Sequence, residues 1–439
     1  METVNQIIHA KWIITCEADN KVLNNHALII HDGIIKKIIA SDSVAQHYQS
    51  DDIRHFNYHA IMPGFINSHT HLAMNLFRGL ADDRALMDWL NNYIWPAEKK
   101  WVNSEFVYDA SLLAMGEMIR GGTTCFNDMY FFLNDTAKAA ELAGMRAHIG
   151  IHVINVPTSW GKTPAEYLEK GLEFHAQYKN HELIKITMAP HAIYTVPDDV
   201  LVELLGVAEK LNLKMNMHIQ ETSAEVEQSI ATTKMRPLRR LQKLGLVSPR
   251  LIAIHMTEIN EEDLEILSVC QPNIVHCPES NMKLASGIAP LDKFKITGVN
   301  VALGTDGAAS NNDLDMIGEM RTAAFLAKAS TRNPTSLSAI EALRMATING
   351  AQALGIEKVT GSLTAGKSAD FIAINLDELE TLPVYHPASQ IVYAASRHQV
   401  TDVWVAGKQL LKNRELQTLD EDRLKSVAKS WREKISQPL

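Results

Sequence analysis

From residue 61 to residue 305 the sequence alternates between short apolar runs and longer amphipathic stretches, and this alternation constrains the fold more than any other feature. The apolar runs are typical of buried strands, and the stretches between them have helical periodicity. The predicted strands are Ile61–Ser68, Thr123–Asp128, Ala147–Asn155, Ile184–Pro190, Lys214–His218, Leu251–His255, Asn273–Cys277 and Val299–Thr305. Eight strands, each followed by a helical stretch, predict an α/β fold with a (β/α)8 barrel of the TIM type.

A doubly wound open sheet is the alternative, and the positions of the polar residues argue against it. Candidate ligands follow the first, fifth, sixth and eighth predicted strands, as described below. A barrel brings all its strand ends around one mouth, whereas an open sheet would not naturally gather these four.

The two ends of the chain are rich in strands and poor in helix. Near the N-terminus, Asp32-Gly33 between two β-rich runs predicts a hairpin. Beyond residue 357, strands are predicted at Asp370–Ile374, Ile391–Tyr393 and Val400–Val405, followed by a helix at Asp420–Lys434. We expect the two ends to pair into a small β-sandwich domain, residues 1–60 and 358–439, beside a barrel domain of residues 61–357.

The first predicted barrel strand ends in two histidines, His69 and His71. Residues i and i+2 of a strand project to the same face, so both imidazoles should converge on one point beyond the strand. Neutral imidazole nitrogens are ligands of zinc-like divalent cations. An isolated pair of this kind is also compatible with two satisfied polar side chains at a strand end.

Three later strand ends supply further candidates: His218 after the fifth strand, His255 after the sixth and Asp306 after the eighth. These groups, together with the first two histidines, lie where catalytic side chains of a barrel belong. The fourth strand ends in Met188–His191 without a lysine that could bridge two metals, so one metal is expected. Three nitrogens, one carboxylate oxygen and a water would leave one catalytic position open, and the metal would lower the pKa of that water to roughly 7.

Glu221 lies three residues after His218 and is predicted to carry a proton between the water and the substrate. The competing interpretation makes its carboxylate a cap for a helix over Ser223–Ile230. In the catalytic arrangement, His255 would hydrogen-bond the attacking hydroxide and stabilise the tetrahedral intermediate.

The charge and cysteine content exclude several classes of partner. The formal net charge is −9, which argues against a nucleic acid or an anionic membrane, because both require a positive field. The four cysteines form no CxxC pair and predict free thiols in a reducing cytoplasm.

One motif is misleading. The segment Gly361–Ser368 matches GxxxxGK[ST], the phosphate-binding P-loop. A P-loop follows a strand and opens a helix, whereas here a predicted helix (Ala339–Leu354) precedes the motif and a strand follows it. The segment is therefore predicted to be a turn.

Several of these motifs together resemble the amidohydrolase superfamily. They are the Pro-Gly-Phe-Ile-Asn-x-His-x-His stretch from Pro63, His218 with Glu221, His255, Gly304-Thr305-Asp306, and the turn from Gly361 to Asp370. Within that superfamily, the chain is similar to the 5′-methylthioadenosine/S-adenosylhomocysteine deaminases. That similarity lies in Leu86–Leu90, Ile94–Glu98, Gly121–Thr124 and Pro190–Thr195, and triazine hydrolases share part of it.

The resemblance implies a role for each candidate residue. It implies that His69, His71, His218 and Asp306 hold one divalent metal, with zinc expected first and Fe²⁺, Mn²⁺ or Ni²⁺ as alternatives. By the same resemblance, Glu221, His255 and Asp306 act in catalysis, Glu98 binds the ribose hydroxyls, and His191 contacts the nucleoside. A carboxylate such as Glu98 suits a vicinal diol because it accepts two O–H bonds, although its interpretation as a solvated helix residue stays open.

The implied reaction is deamination of the adenine ring of 5′-methylthioadenosine, with S-adenosylhomocysteine and adenosine as further substrates. The stretch His148–Pro157 contains no arginine to pair with a homocysteine carboxylate, which favours methylthioadenosine. A triazine chlorohydrolase or another nucleobase deaminase is the alternative within the fold, and a metal-free structural relative is the non-enzyme alternative. The expected partner is a small nucleoside, and homo-oligomers are compatible with the sequence.

Overall fold

The computed structural model describes residues 1–17, 19 and 21–436, and its strands fall into three groups along the chain. The first group is β1 (Glu2–Thr3), β2 (Gln6–Ile14), β3 (Val22–His31), β4 (Ile34–Ala40), β5 (Tyr48–Gln49) and β6 (Asp52–Pro63). The second is β7 (Phe65–Thr70), β8 (Thr123–Asp128), β9 (Arg146–Val153), β10 (Ile184–Pro190), β11 (Met215–Ile219), β12 (Leu251–His255), β13 (Asn273–His276) and β14 (Asn300–Leu303). The third is β15 (Phe371–Asn375), β16 (Val400–Val405), β17 (Lys408–Lys412) and β18 (Glu415–Leu416).

Helices accompany all three groups of strands. They are α1 (Val44–His47), α2 (Leu86–Trp89), α3 (Trp95–Trp101), α4 (Ser104–Arg120), α5 (Leu133–Ala143), α6 (Pro164–Tyr178), α7 (Asp198–Leu211), α8 (Ser223–Thr233), α9 (Pro237–Lys243), α10 (Glu261–Cys270), α11 (Pro278–Lys283), α12 (Leu291–Thr297), α13 (Ala308–Asn311), α14 (Met316–Thr331), α15 (Ala339–Met345), α16 (Ile348–Leu354), α17 (Pro387–Tyr393) and α18 (Glu421–Ile435). Most of these helices connect or follow the strands of the second group, whereas α1 lies within the first group, α17 lies between β15 and β16, and α18 follows β18. None of the described helices is long and apolar enough to cross a membrane.

The second group of strands forms the predicted barrel. Strands β7 to β14 pair in chain order, and every pair is parallel. The first and last strands meet where the amide of Asp306 donates to the carbonyl of His69 at 3.0 Å. The amide of Thr305 donates to the side-chain oxygen of Asn67, also at 3.0 Å. The strand ends that carry the candidate ligands therefore surround one mouth, as the sequence predicts.

The two ends of the chain form a separate mixed sheet, in the order β18-β17-β16-β15-β6-β2-β3-β4. Strands β2 and β6 are parallel and the other neighbours are antiparallel. The hairpin between β3 and β4 turns at Asp32 (φ 50°) and Gly33 (φ 72°), the left-handed conformations that such a tight turn requires. The pairing of β6 with β15 joins the N-terminal and C-terminal segments, as predicted.

The first predicted barrel strand, Ile61–Ser68, is divided in the structure. Residues up to Pro63 belong to β6 in the mixed sheet, and the barrel strand β7 begins at Phe65. Gly64 joins the two, and a Cβ there would lie 2.2 Å from the side chain of Thr124, so only glycine fits. The continuous apolar pattern hides this division because both parts are buried. The domain division at residues 60 and 358 stays a prediction, and β6 continues three residues past the first of these boundaries.

Two other predicted elements are wrong. Ile391–Tyr393, predicted as a strand, is the end of helix α17, which starts at Pro387 in the first helical position, where proline is well tolerated. The predicted helix over Ala339–Leu354 is two helices, α15 and α16, separated at Thr347, which has a non-helical backbone. The error at Ile391–Tyr393 arose because three or four apolar residues cannot distinguish a buried strand from a buried helical turn.

The P-loop-like segment is a turn, as predicted. Residues 361–368 form neither helix nor strand, and the segment packs against the β3–β4 hairpin. The amide of Ile35 donates to the carbonyl of Lys367 at 2.8 Å, and the side chain of Lys367 donates to the hydroxyl of Ser362 at 2.7 Å. This hydrogen bond holds the side chain of Lys367 within the turn.

Candidate metal centre and active site

Four predicted ligands meet at the mouth of the barrel: His69, His71, His218 and Asp306, whose ligand atoms all lie within 4.8 Å of one another. The two Nε2 atoms of His69 and His218 are 3.2 Å apart. Oδ1 of Asp306 lies 3.3 Å from Nε2 of His69 and 3.2 Å from Nε2 of His71. Two ligands bound to one tetrahedral zinc at about 2.0–2.1 Å are about 3.3 Å apart, so the cluster fits a single metal.

Hydrogen bonds on the far side of two of the imidazoles, those of His71 and His218, orient their ligand nitrogens. Nδ1 of His71 lies 2.6 Å from the carbonyl of Met129, and Nδ1 of His218 lies 2.9 Å from the carbonyl of His191. A carbonyl only accepts, so Nδ1 carries the proton in each ring and Nε2 keeps its lone pair for the metal. This arrangement is usual for histidine ligands of metals.

Two serines hold Asp306 in the same way. The hydroxyls of Ser280 and Ser310 donate to its Oδ2 at 2.6 and 2.8 Å, which leaves Oδ1 for the cluster. Both serines are buried. Asp306 itself has a left-handed backbone, φ 62°, and His255 has φ 74°. Strained non-glycine backbone of this kind is concentrated at functional sites, where the surrounding structure holds it in place.

Glu221 and His255 lie beside the cluster, with 3.7 Å between Oε2 of Glu221 and Nε2 of His255. Nδ1 of His255 donates to the side-chain oxygen of Asn281 at 2.8 Å, so Nε2 is the nitrogen that faces the carboxyl. Burial raises the pKa of Glu221, and the nearby charge of Asp306 adds to that effect. A raised pKa makes the protonated form easier to reach, so that a carboxyl can donate a proton as well as accept one.

The helix-cap interpretation of Glu221 is wrong. Helix α8 is capped by Thr222, whose hydroxyl accepts from the amide of Glu225 at 3.3 Å. The carboxylate of Glu225 accepts the amides of Gln220 and Glu221 at 3.0 and 2.8 Å. The carboxyl of Glu221 instead accepts a hydrogen bond from Ser286 at 3.3 Å. The side chain of Glu221 therefore does not cap helix α8.

The cavity above the cluster is narrow, with a volume of about 80 Å³. Its walls include Glu98, Tyr130, His152, His191 and several apolar side chains, among them Trp89, Leu90 and Trp95. The hydroxyl of Tyr130 donates to Oε1 of Glu98 at 2.6 Å, and burial raises the pKa of Glu98 to about 7. Glu98 is thus a fixed part of the cavity wall, which rules out its interpretation as a solvated helix residue.

His191 also faces this cavity, and its hydrogen bonding fixes which nitrogen is available. The hydroxyl of Thr195 donates to the carbonyl of Ala192 and so accepts from Nδ1 of His191, at 3.1 and 2.9 Å. Burial lowers the pKa of His191 to about 3, so the ring is neutral and Nε2 is left as an acceptor.

A larger cavity of about 600 Å³ adjoins the narrow one and shares four of its wall residues, namely Trp95, Glu98, Phe131 and Ile154. Lys99 and Lys162 line this outer cavity. The sequence stretch His148–Pro157 lacks a cation, but folding brings one lysine from five residues further along and another from helix α3. The missing arginine in that stretch therefore does not leave the outer cavity without a cation.

The sequence reasoning missed Tyr130, His152, Ser280, Asn281 and Ser310. Each follows or ends a barrel strand, which was the available signal. Without a partner in view, however, a serine or tyrosine there is indistinguishable from an ordinary loop residue.

A barrel whose mouth holds three histidines, one aspartate and an adjacent buried glutamate defines a metal-dependent hydrolase. The sequence profile of the Amidohydrolase family matches residues 60–410. The chain belongs to the amidohydrolase family.

Similar proteins give a narrower comparison. A 5-methylthioadenosine/S-adenosylhomocysteine deaminase from Saccharophagus degradans is 45% identical over 98% of this chain and 96% of its own length. A protein of the same name from Thermodesulfovibrio yellowstonii is 42% identical over 98% of both chains. An adenosine deaminase from Xanthomonas campestris, crystallised with bound zinc, superposes with a TM-score of 0.97 at 43% identity over the whole of both chains.

The fold also extends to a more distant enzyme. The atrazine chlorohydrolase of Arthrobacter aurescens superposes with a TM-score of 0.89 over 97% of this chain and 99% of its own, at 22% identity. At that identity the likeness concerns the fold alone.

Proposed function

We propose that this chain is a single-metal aminohydrolase that deaminates the adenine ring of 5′-methylthioadenosine and of S-adenosylhomocysteine. The observation that carries the proposal is the placement of Glu221 and His255 beside a four-ligand cluster, in a cavity that also contains Glu98. The relatives named as deaminases of these two nucleosides support it.

His69, His71, His218 and Asp306 would hold the metal, with zinc expected first and Fe²⁺, Mn²⁺ or Ni²⁺ as alternatives. When bound, the cation supplies a water of lowered pKa at neutral pH. Ser280 and Ser310 keep Oδ2 of Asp306 engaged, so that Oδ1 alone faces the cluster. Asp306 is also assigned a catalytic part, because its Oδ1 is a carboxylate acceptor that faces the cluster.

Glu221 would move the proton that the reaction requires. The new bond forms between carbon 6 and oxygen, the bond from carbon 6 to the amino nitrogen breaks, and ammonia leaves. Glu221 would take one proton from the attacking water and pass it to the ring nitrogen beside carbon 6. The second proton of that water would pass to the amino nitrogen, which leaves as ammonia while the oxygen becomes the carbonyl of the product. Burial raises the pKa of Glu221, which favours the protonated form that donates to the ring nitrogen.

His255 would orient the attacking oxygen and stabilise the charge that develops on it. Its ring is fixed through Nδ1 by Asn281, which leaves Nε2 on the side of Glu221. Because Asn281 already holds the ring of His255 in this orientation, the ring need not move during the reaction.

The rest of the nucleoside would extend outward from the cluster. The adenine ring would occupy the inner cavity beside the cluster, and Glu98, which lines both cavities, would accept hydrogen bonds from the ribose hydroxyls. His191 would accept a further hydrogen bond through Nε2. The 5′ substituent would then enter the outer cavity, past the apolar side chains of Phe131 and Ile154.

Replacing Glu98 with alanine is expected to reduce kcat/KM for methylthioadenosine by about 10²- to 10⁴-fold. Two charge-assisted hydrogen bonds, each worth roughly 1.5–3 kcal/mol, would be lost. Steady-state kinetics of ammonia release measures the change. Asp88→Ala removes a carboxylate of the nearby helix α2 that lines neither cavity, and it serves as the matched control.

A 2′,3′-dideoxy analogue separates ribose recognition from damage to the site. It should be a poor substrate for the unmodified enzyme, and Glu98→Ala should add little further loss. If the variant were equally impaired on a sugar-free chlorotriazine, and the unmodified enzyme were fast on it, the chlorohydrolase alternative would replace the nucleoside proposal.

Replacing Lys162 with alanine is expected to reduce kcat/KM for S-adenosylhomocysteine about three- to fivefold and to leave methylthioadenosine unchanged. The homocysteine carboxylate would pair with this exposed lysine, and such exposed pairs are worth up to about 1 kcal/mol. Lys179→Ala, an exposed lysine at the end of helix α6, is the control. Equal losses on both substrates would show that the outer cavity does not hold the carboxylate.

The proposal includes a cytoplasmic location and a small-molecule partner, with neither nucleic acid nor membrane bound. Cys16, Cys125, Cys270 and Cys277 are all free thiols, as a reducing compartment allows. Assembly into a homo-oligomer is also compatible with this proposal, and the molecular mass in solution tests it.

A further inference from the structure

A cavity of about 330 Å³ lies between helix α4, helix α18 and the mixed sheet, and it shares no lining residue with the catalytic cavity. Its floor is apolar and includes Leu113 and Leu416. Helix α18 can approach because residue 116 is glycine, where a Cβ would lie 2.9 Å from Leu424. The charged side chains around this floor are Arg78, Arg120, Arg397, Arg414, Lys425, Glu117 and Glu421.

More cationic side chains than carboxylates line this cavity, and each of the two carboxylates pairs with two cations. Glu117 pairs with both Arg78 and Arg397, and Glu421 pairs with both Arg120 and Lys425. Asp313 and Asp315 face Arg397, and Asp422 faces Lys425 at 3.9 Å, all three from outside the cavity, so the positive excess is confined to the side chains that line the cavity. A local positive excess contrasts with the formal charge of −9 for the whole chain.

Arg414 is the cation that this network does not neutralise. One of its terminal nitrogens, Nη1, donates to the carbonyls of Arg120, Arg397 and Val400 at 2.5, 2.9 and 2.8 Å. Within the described residues Arg414 forms no ion pair. Burial and the charges of Arg120 and Arg397, offset only in part by Glu421, lower the pKa of Arg414 to about 10. An anion in the cavity would relieve this repulsion.

We propose that this cavity binds a phosphate group, held by Arg414 with Arg120, Arg397 and Lys425. The planar guanidinium matches the oxygens of phosphate, and the three carbonyl contacts already fix Arg414 in one orientation. The four cations belong to different elements and surround the space, which suits a tetrahedral anion with oxygens on several sides. The apolar floor leaves room for the body of a phosphate monoester as well as for free phosphate.

The test is a calorimetric titration of the metal-loaded enzyme with inorganic phosphate and with phenyl phosphate, at an ionic strength held constant with chloride. Saturable binding is expected. Lys425→Glu should weaken it about tenfold or more, because a repulsive charge replaces an attractive one close to the anion. Lys429→Glu makes the same change of net charge one turn along the exposed side of helix α18, outside the cavity, and should leave the affinity unchanged.

The pair of variants separates this cavity from the metal cluster, where phosphate could also bind, because neither lysine lies near the cluster. Tighter binding of phenyl phosphate would assign the cavity to a monoester, and equal binding would assign it to the free anion. Arg414→Met should abolish binding if the variant keeps its fold by circular dichroism. Failure of unmodified enzyme to bind phosphate above the chloride background, or equal losses in the two lysine variants, would overturn the proposal.

Discussion

Replacing His218 with alanine is expected to remove both the bound metal and the deaminase activity. Nε2 of His218 lies 3.2 Å from Nε2 of His69, so its loss opens one corner of the cluster. The remaining ligands are two histidines and one aspartate, so the metal would lose one of its four protein ligands and bind less tightly. Elemental analysis of the purified protein should give close to one divalent metal per chain for the unmodified enzyme and a small fraction of that for the variant.

His47→Ala removes an exposed histidine from helix α1 and should change neither quantity. Two tightly held metals per chain, or full activity in a chelated and metal-free sample, would contradict a single-metal site. The absence of lysine at the end of the fourth barrel strand agrees with one metal. The only lysine within that strand, Lys185, donates to the carbonyl of His181 at 2.9 Å.

Replacing Glu221 with glutamine is expected to keep the metal and to reduce kcat about 10²- to 10⁴-fold, the usual contribution of a positioned proton carrier. The amide is nearly isosteric, and the carboxyl makes no cap that the change would break. Its hydrogen bond from Ser286 can be accepted by the amide oxygen. Single-turnover kinetics with methylthioadenosine, together with metal content, separates the loss of proton transfer from a loss of assembly.

Glu227→Gln, at an exposed position of helix α8, is the matched control for this change. Turnover of Glu221→Gln within a factor of a few of the unmodified enzyme would leave Glu221 without a catalytic part. Loss of metal in this variant would instead make Glu221 a support of the cluster.

The barrel and the metal ligands were predictable from the sequence because both follow from local rules. Alternation of strand and helix fixes the barrel, and parallel strands place His69, His218 and Asp306 at one mouth without knowledge of any contact. The predicted bounds of β8, β10 and β12 agree with the structure.

The groups that orient the site were not predictable in the same way. Ser280 holds Asp306 from 26 residues away, and Tyr130 holds Glu98 across 32 residues. Such partners are brought together by folding and leave no periodic signal. The same reason explains Lys162, which reaches the outer cavity from a loop beyond the predicted strand.

Errors in the fold arose where burial is uniform. The division at Gly64 and the helix at Ile391–Tyr393 both lie in apolar segments that remain buried whichever element they form. There, close packing against Thr124 and the proline at position 387 decide the structure, and neither effect is visible in the hydrophobic pattern.

The most direct test of the central claim is ammonia release by the zinc-loaded enzyme from a panel of methylthioadenosine, S-adenosylhomocysteine, adenosine and a chlorotriazine, with each product identified by mass spectrometry. We expect rapid conversion of the first two nucleosides to their inosine analogues with one ammonia per turnover, slower conversion of adenosine, and no chloride release from the triazine. Chloride release from the triazine without deamination of any nucleoside would contradict the proposed function.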